Sequence, residues 1–206
     1  MTLRRVTLLR HGQTEYNSVG RMQGHLDTRL TDAGRAQAAA VAPRLAQERF
    51  DRIITSDLTR AHDTATAVAE AVGLPLSVDK RLRETHLGDW QGRTIAEIGA
   101  DDPGAIAEWR SDPRFTPPGG ESRVDVVVRS LPVVEELDLE YASDPEERSV
   151  LLVAHGGMIA GMVCGLLDLP QSSWPVIGGL GNTRWAVVDR RDDHPRWRLS
   201  GYNIGA

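Results

Sequence analysis

The chain has 206 residues, a formal net charge of −5, and 40% hydrophobic and 26% charged residues, which is typical of a globular protein. This length predicts one domain, residues 1–206, and the single cysteine, Cys164, excludes an intrachain disulfide. The acidic balance argues against nucleic acid or an anionic membrane as the partner, and no apolar run has the length of a signal core or a membrane span. We therefore expect a cytoplasmic protein with no nucleic-acid or membrane partner.

The hydrophobic pattern predicts strands that alternate with helices. In chain order, the predicted strands are residues 4–9, residues 52–56, the segment GLPLSV, residues 149–154, and the segments TRWAVVD and WRLSGY. This alternation is typical of an α/β fold with a mostly parallel sheet.

The longer helices lie between these strands. The first is LTDAGRAQAAAVAPRLAQER, capped by Thr31 and either kinked or shortened by Pro43. The second has an apolar stripe from Ala61 to Val72, and a third begins near residue 121 and contains Pro132. HGGMIAGMVCGLL forms a fourth, and residues 84–120, approximately, are predicted to form a lid-like insert over one end of the sheet.

Arginine and histidine follow three of the predicted strands. The first strand ends at Arg10 and His11, the second leads into SDLTRA with Arg60, and the long buried strand ends at His155 and Gly156. Ligands of open α/β sheets bind at the carboxyl ends of the strands, where helix N-termini add partial positive charge. These residues therefore predict an anion site, with phosphate as the first candidate.

Each of these motifs also has a structural explanation when it is taken alone. Arg10 and His11 can cap a strand at the surface, Gly156 can serve a tight turn, and Arg60 can be a solvated residue of a first helical turn. Their joint occurrence at three strand ends favours the phosphate site.

The absence of several known motifs limits the ligands and reaction types that we expect. The sequence has no GxxxxGK[ST] loop, no HExxH motif, no paired-aspartate metal motif and no cysteine cluster, so we expect no nucleotide loop, metal or other cofactor. Histidine can itself act as the nucleophile in a metal-free phosphoryl transfer. An acid is expected in RLRETHLGDWQG, which offers Glu84, His86 and Asp89; Glu84 can alternatively form a surface ion pair with Arg83.

Five motifs together, RHGQTEYN, LTDAGRAQA, TSDLTRAHDTA, LRETHLGDWQG and VAHGG, resemble the histidine phosphatase superfamily, or phosphoglycerate mutase-like family. The resemblance covers nearly the whole chain and implies a three-layer α/β sandwich, a phosphohistidine intermediate and no metal. It implies that His11 is the nucleophile and that Glu84 is the general acid and base. The remaining residues that it implies are cations that hold phosphate, Arg10, Arg60 and His155, and further phosphate ligands, Asn17, Gln23, Gly24 and Gly156.

The motif in the predicted lid helps to distinguish a phosphatase from a mutase. Mutases of the family resemble one another in an NERHYG-type motif with additional basic residues, whereas this chain has LRETHLGDWQG, so we expect a phosphatase. A mutase and a catalytically silent phospholigand-binding module are the alternatives.

A narrower likeness within the family, carried by RETHLGDWQG, PPGGESRVDV and WPVIGGLGN, implies a small sugar-linked phosphoglycerate as substrate and a homodimer. Broad activity on sugar and glycerate phosphates is the alternative. The expected contacts to the leaving group are Gln23, His25, His86, Trp90 and Trp109, although the two tryptophans can equally serve lid packing.

Overall fold

The computed structural model describes residues 3–143, 145–194 and 196–205. The strands are β1 (Leu3–Arg10), β2 (Arg52–Thr55), β3 (Leu76–Val78), β4 (Arg148–Ala154), β5 (Trp185–Arg190) and β6 (Trp197–Ile204). They form one sheet in the order β3-β2-β4-β1-β5-β6, in which the first four are mutually parallel and β5 runs antiparallel to both of its neighbours. The predicted α/β fold with a mostly parallel sheet is confirmed.

The helices are α1 (Glu15–Ser18), α2 (Asp32–Leu45), α3 (Thr59–Val72), α4 (Ile95–Asp101), α5 (Ala105–Ser111), α6 (Arg123–Glu140) and α7 (Gly156–Leu166). Thr31 caps α2, which ends two residues after Pro43 and is therefore shorter than its 20-residue sequence pattern. Pro132 lies inside α6. Short 3-10 helices occupy Lys80–Leu82, Gly88–Trp90 and Gln171–Val176.

Alternating side chains of the strands bury two separate faces of the sheet. Leu8 of β1 packs in a cluster with residues of α6 and α7, whereas its neighbour Leu9 packs in a cluster with residues of α2 and α3. The sheet therefore lies between two helical layers, which is the expected three-layer sandwich.

The lid segment has a small apolar core of its own. Trp90 is 3% exposed and lies beside Leu87, Ile98 and Ile106, with the Phe115 ring stacked on it at a centroid distance of 5.6 Å. Trp90 thus packs inside the lid. Among the described residues, the helices include none with the length and apolar character of a membrane span.

Candidate active site

Parallel pairing brings two histidines together at the carboxyl edge of the sheet. Arg10, the last residue of β1, pairs with Ala154, the last residue of β4, and the next backbone N–H, that of His11, donates to the Ala154 carbonyl at 3.0 Å. His155 follows Ala154 directly. The rings of His11 and His155 consequently meet edge to face at a centroid distance of 5.2 Å.

The loop after β1 fixes the tautomer of His11. Its Nδ1 lies 2.7 Å from the Gly12 carbonyl oxygen, which can only accept a hydrogen bond, so Nδ1 carries the proton. The lone pair of a neutral His11 is therefore on Nε2. Gly12 has no room for a side chain, because an added Cβ would lie 2.5 Å from the Gly34 carbonyl oxygen.

Arg60 is a fully buried cation near the start of α3. Its Nη1 and Nη2 each donate at 2.8 Å, to the carbonyls of Leu26 and Gly24, and its Nε has no partner. Within the described part of the chain, no carboxylate forms an ion pair with it. Burial lowers the pKa of Arg60 to about 10.

Arg10, like Arg60, donates to a backbone carbonyl and has no ion pair among the described residues. Its Nη1 donates to the Leu180 carbonyl, its buried Nε has no partner, and burial lowers the pKa of its guanidinium. Neither guanidinium has an ion pair within the described ranges, and the charge of Glu84 offsets only part of the effect of burial on their pKa values. An anionic ligand would balance them further.

Both histidines are neutral in this environment. Burial, followed by the charge of Arg60, lowers the pKa of His11 and of His155 well below the usual histidine range. The Nε2 of His155 lies 2.9 Å from the Ser56 hydroxyl, and its Nδ1 is buried without a partner. The neutral state suits His11 as a nucleophile.

The Glu84 side chain lies against the N-terminus of α7. Its Oε2 accepts from the Gly157 N–H at 3.0 Å, and its Oε1 accepts from the Met158 N–H at 2.8 Å. These amides belong to the helix whose positive end also faces the two histidines. The surface ion pair considered for Glu84 is absent from the described structure, since Arg83 pairs with Asp57 at 2.6 Å.

The backbone of Glu84 is held by residues that sequence analysis did not connect with it. Its carbonyl accepts from Arg129 Nη2 at 2.8 Å and from His25 Nε2 at 2.7 Å. Glu121 in turn accepts two hydrogen bonds from Arg129, at 2.6 and 3.0 Å. These residues come from the first loop, the lid and α6, so no local sequence pattern joins them.

The other expected phosphate ligands, Asn17, Gln23, Gly24 and Gly156, differ in their local surroundings. The Oδ1 of Asn17 accepts from the Thr14 N–H at 3.1 Å, and the Oε1 of Gln23 accepts from the Thr14 hydroxyl at 2.8 Å, which leaves both amide nitrogens as donors. Gly24 adopts a positive φ of 53° beside them. Gly156 is the first residue of α7.

His86 lies outside the cavity lining. Its ring meets the His25 ring at a centroid distance of 4.9 Å, and its backbone N–H donates to Glu121 at 2.8 Å.

A cavity of about 510 Å³ opens on this group of residues. Its lining includes Arg10, His11, Asn17, Gln23, Gly24, Arg60 and Glu84, together with Trp109, Arg110, Arg123, Pro175 and Ile177. A wider groove of about 920 Å³ lies at the amino ends of β1 and β4, where its charges pair with each other, as Arg5 does with Asp189 at 2.7 Å. The smaller cavity holds the unpaired cations, so it is the candidate active site. In the described ranges, His, Cys, Asp and Glu side chains form no group of three arranged to hold a metal ion.

Comparison with known proteins, which is independent of the site geometry, also points to phosphate chemistry. The model of the Histidine phosphatase superfamily (branch 1) matches residues 6–204. The chain is 51% identical to glucosyl-3-phosphoglycerate phosphatase of Mycolicibacterium vanbaalenii, with 100% of this chain and 97% of that protein covered. It is 50% identical to the protein of the same name from Mycobacterium tuberculosis, with the same coverage. A solved structure of mycobacterial glucosyl-3-phosphoglycerate phosphatase in complex with VO3 is 50% identical, has a TM-score of 0.93, and covers 98% of this chain and 100% of that chain.

Proposed function

The chain belongs to the histidine phosphatase superfamily, and from this we propose that it is a metal-independent phosphatase that converts glucosyl-3-phosphoglycerate to glucosylglycerate and phosphate. The observation that carries the proposal is the neutral His11 beside the unpaired guanidiniums of Arg10 and Arg60. A phosphate dianion satisfies both cations and places phosphorus next to the lone pair of His11.

The first step forms a bond between His11 Nε2 and phosphorus and breaks the bond between phosphorus and the glycerate oxygen. Arg10 and Arg60 stabilise the charge on the equatorial oxygens of the phosphoryl group. Glu84 gives its proton to the departing oxygen. For this transfer, its carboxyl group exchanges at least one amide partner on α7 for the substrate oxygen.

The second step returns the enzyme to its starting state. Glu84 takes a proton from water, the water oxygen attacks phosphorus, and the bond from phosphorus to His11 breaks. Phosphate leaves, and both residues recover their initial protonation. No other reactant is required.

His155 changes its state when the substrate binds. In the empty site, the nearby arginines and burial favour the neutral ring. A bound dianion reverses the sign of the local potential and favours protonation, so His155 adds a third cation against the phosphoryl oxygens.

The substrate assignment is supported by relatives that are named for it and match over their full length. We further propose that the protein acts as a homodimer in the cytoplasm, as the resemblance implies. Asn17, Gln23, Gly24 and the Gly156 amide are proposed as additional phosphate ligands. His86 is proposed to act on the leaving group only through the lid, since its ring lies behind the cavity.

The test compares kcat/KM, in the presence of EDTA, for glucosyl-3-phosphoglycerate, 3-phosphoglycerate and several sugar phosphates. We expect glucosyl-3-phosphoglycerate to be preferred at least tenfold and an acid-labile phosphoprotein to be trapped by rapid quenching. His11→Ala is expected to lower kcat by a factor on the order of 10⁴ or more and to abolish the trapped species. His62→Ala, an exposed histidine of α3, is the matched control.

Three results would contradict the proposal. Turnover by His11→Ala at the wild-type rate would exclude the phosphohistidine route. Equal kcat/KM across the panel would indicate a broad-specificity phosphatase. Phosphoryl transfer between positions of phosphoglycerate that exceeds phosphate release would indicate a mutase.

A further inference from the structure

A second group of unpaired hydrogen-bond donors lines the same cavity at the lid and the start of α6. Trp109 and Arg110 are in α5, and Arg123 is the first residue of α6. None of these three is among the phosphate ligands that the family resemblance implies.

The Arg123 side chain is held by the backbone carbonyls of two lid residues. Its Nη2 donates to the Trp109 carbonyl and, at 2.9 Å, to the Arg110 carbonyl, while its guanidinium carbon lies 5.9 Å from the centre of the Trp109 ring. Its Nε is buried without a partner. Among the described residues, Nη1 has no hydrogen-bond partner and no carboxylate pairs with the guanidinium, so this side chain is positioned but unsatisfied.

Its neighbours add more donors and no acceptor side chain. The indole Nε1 of Trp109 is buried without a partner. The exposed side chain of Arg110 has no hydrogen bond or ion pair to any described residue.

Other arginines around the lid do have partners. Arg21 pairs with Glu97 at 3.2 Å, Arg93 pairs with Asp101, and Arg114 donates to Gln171 at 2.7 Å. Arginine is therefore not left unpaired throughout this region. Arg110 and Arg123 line the cavity without an ion pair to any described residue, whereas Arg21, which also lines it, is paired.

The charge in the cavity exceeds what a phosphate requires. Four unpaired guanidiniums line it, and Glu84 is the one carboxylate among its lining residues. A phosphate dianion balances two of the four guanidiniums, and the excess is larger when Glu84 is protonated for proton transfer. A substrate that carries both a phosphate and a carboxylate reduces this excess.

We propose that Arg123, supported by Trp109 and Arg110, binds the carboxylate of the leaving group and thereby selects phosphate esters of glycerate. This assignment rests on the proposed function and extends it to a named specificity residue. A carboxylate suits the planar guanidinium, which can offer it two parallel N–H donors. The Trp109 ring lies against the Arg123 guanidinium and limits the orientation of that group.

The experiment measures kcat/KM on three phosphate esters: glucosyl-3-phosphoglycerate, the same ester with a hydroxymethyl group in place of the carboxylate, and para-nitrophenyl phosphate. For Arg123→Met we expect a loss of about 10- to 100-fold on the carboxylate-bearing ester, the range for removing one charged hydrogen-bonding partner. On the other two esters we expect a change of less than about twofold. Arg123→Lys retains the charge without the fork and is expected to lie between Met and the wild type.

Arg114→Met is the matched control, because Arg114 belongs to the same lid region and lies outside the cavity lining. It is expected to retain the wild-type preference. The Tm of each variant is measured alongside, since Arg123 also holds two lid carbonyls in place.

Each other outcome has a definite meaning. An equal loss on all three esters in Arg123→Met shows a structural role and overturns the proposal, as does an unchanged preference for the carboxylate. Wild-type enzyme without any preference for the carboxylate-bearing ester overturns the substrate assigned under the proposed function, whatever Arg123 does.

Discussion

The two histidines of the candidate active site are kept neutral by burial and by the cations that line the same cavity. His11 and His155 are buried, and Arg60 and Arg10 contribute to lowering the pKa of each ring well below its usual range. Protonation of either ring therefore favours the unfolded chain, in which histidine titrates near its ordinary value of about 6.5. This arrangement makes stability depend on pH in a defined direction.

The first prediction concerns that dependence. The contribution of the two rings is fully present above about pH 6.5 and is lost as pH falls from there toward the lowered folded-state pKa. Between pH 7.5 and 5.5, each ring should contribute to a decrease in the free energy of unfolding on the order of 1 kcal/mol. Urea unfolding without phosphate should show a smaller decrease in His155→Gln and a still smaller one in the double variant with His11→Gln, while His25, whose pKa burial also lowers, retains part of the dependence.

The exposed His62 provides the matched control, and His62→Gln should keep the wild-type pH dependence. Identical curves for the wild type and the double variant would show that other groups cause the acid sensitivity.

Single residues differ in how far the sequence could predict them. His11, Arg60 and His155 were predictable because each follows a strand, and parallel strands bring their carboxyl ends to one edge. Arg123 and Arg129 carried no such signal. Each acts through contacts that cross between the lid and α6, and contacts of this kind depend on the packing of distant segments.

At the scale of elements, the N-terminus of α2 supports the loop that carries His11. The Thr31 N–H donates to the Gln13 carbonyl at 3.0 Å, and the Thr31 hydroxyl caps the Gly34 N–H at 3.0 Å. An added Cβ on Gly34 would lie 1.9 Å from the Gln13 carbonyl oxygen. The loop and the helix can therefore approach this closely only with glycine at position 34.

Gly34→Ala is accordingly predicted to be strongly destabilising. We expect a decrease of about 2–4 kcal/mol in the free energy of unfolding, because backbone on both sides of the contact must move. We also expect kcat/KM to fall at least tenfold, since the movement displaces His11. Urea unfolding and steady-state kinetics measure the two effects.

Gly99 in α4 offers a control of the same chemistry. An added Cβ there meets nothing within 4 Å, so Gly99→Ala should leave activity unchanged and raise stability by up to about 1 kcal/mol. If both variants were as stable as the wild type, the close contact between α2 and the His11 loop would not be a constraint.

The elements themselves were more predictable than their bounds. Long periodic segments such as α3 and the continuous β4 were correct in type, because their apolar positions match the period of the element that they form. The end of α2 was not predictable in detail, since Pro43 lies in its last turn and does not stop it at once. The lid role of residues 84–120 stays a prediction, and the separate core around Trp90 could not be predicted because it depends on tertiary contacts.

At the scale of the whole molecule, an acidic chain gathers unpaired positive charge at one edge of its sheet. The net charge is −5, yet the described structure leaves Arg10, Arg60, Arg110 and Arg123 in the cavity without ion pairs. Several arginines elsewhere do have carboxylate partners, as Arg129 has in Glu121 and Arg81 has in Glu136. An anion bound in this cavity would offset part of that positive charge.

This imbalance predicts that oxyanions stabilise the protein strongly and specifically. At a concentration of one hundred times Kd, inorganic phosphate or vanadate should add about 2.7 kcal/mol, which raises Tm by roughly 5–11 °C for a chain of this size. Chloride at matched ionic strength should add little, because the site requires several oxygens in fixed positions. Differential scanning calorimetry with increasing ligand measures the shift.

Substitutions of single arginines test whether the phosphate-induced rise in Tm arises at the proposed site. Arg60→Met removes one of the two guanidiniums at the phosphate site and should abolish most of the shift, whereas Arg44→Met on the exposed face of α2 should retain it in full. Arg10→Met serves as a second test if Arg60→Met lacks a cooperative unfolding transition of its own. A phosphate-induced shift of the wild-type size in both site variants would mean that the anion binds elsewhere, and the charge imbalance at the carboxyl edge would then not be what the ligand relieves.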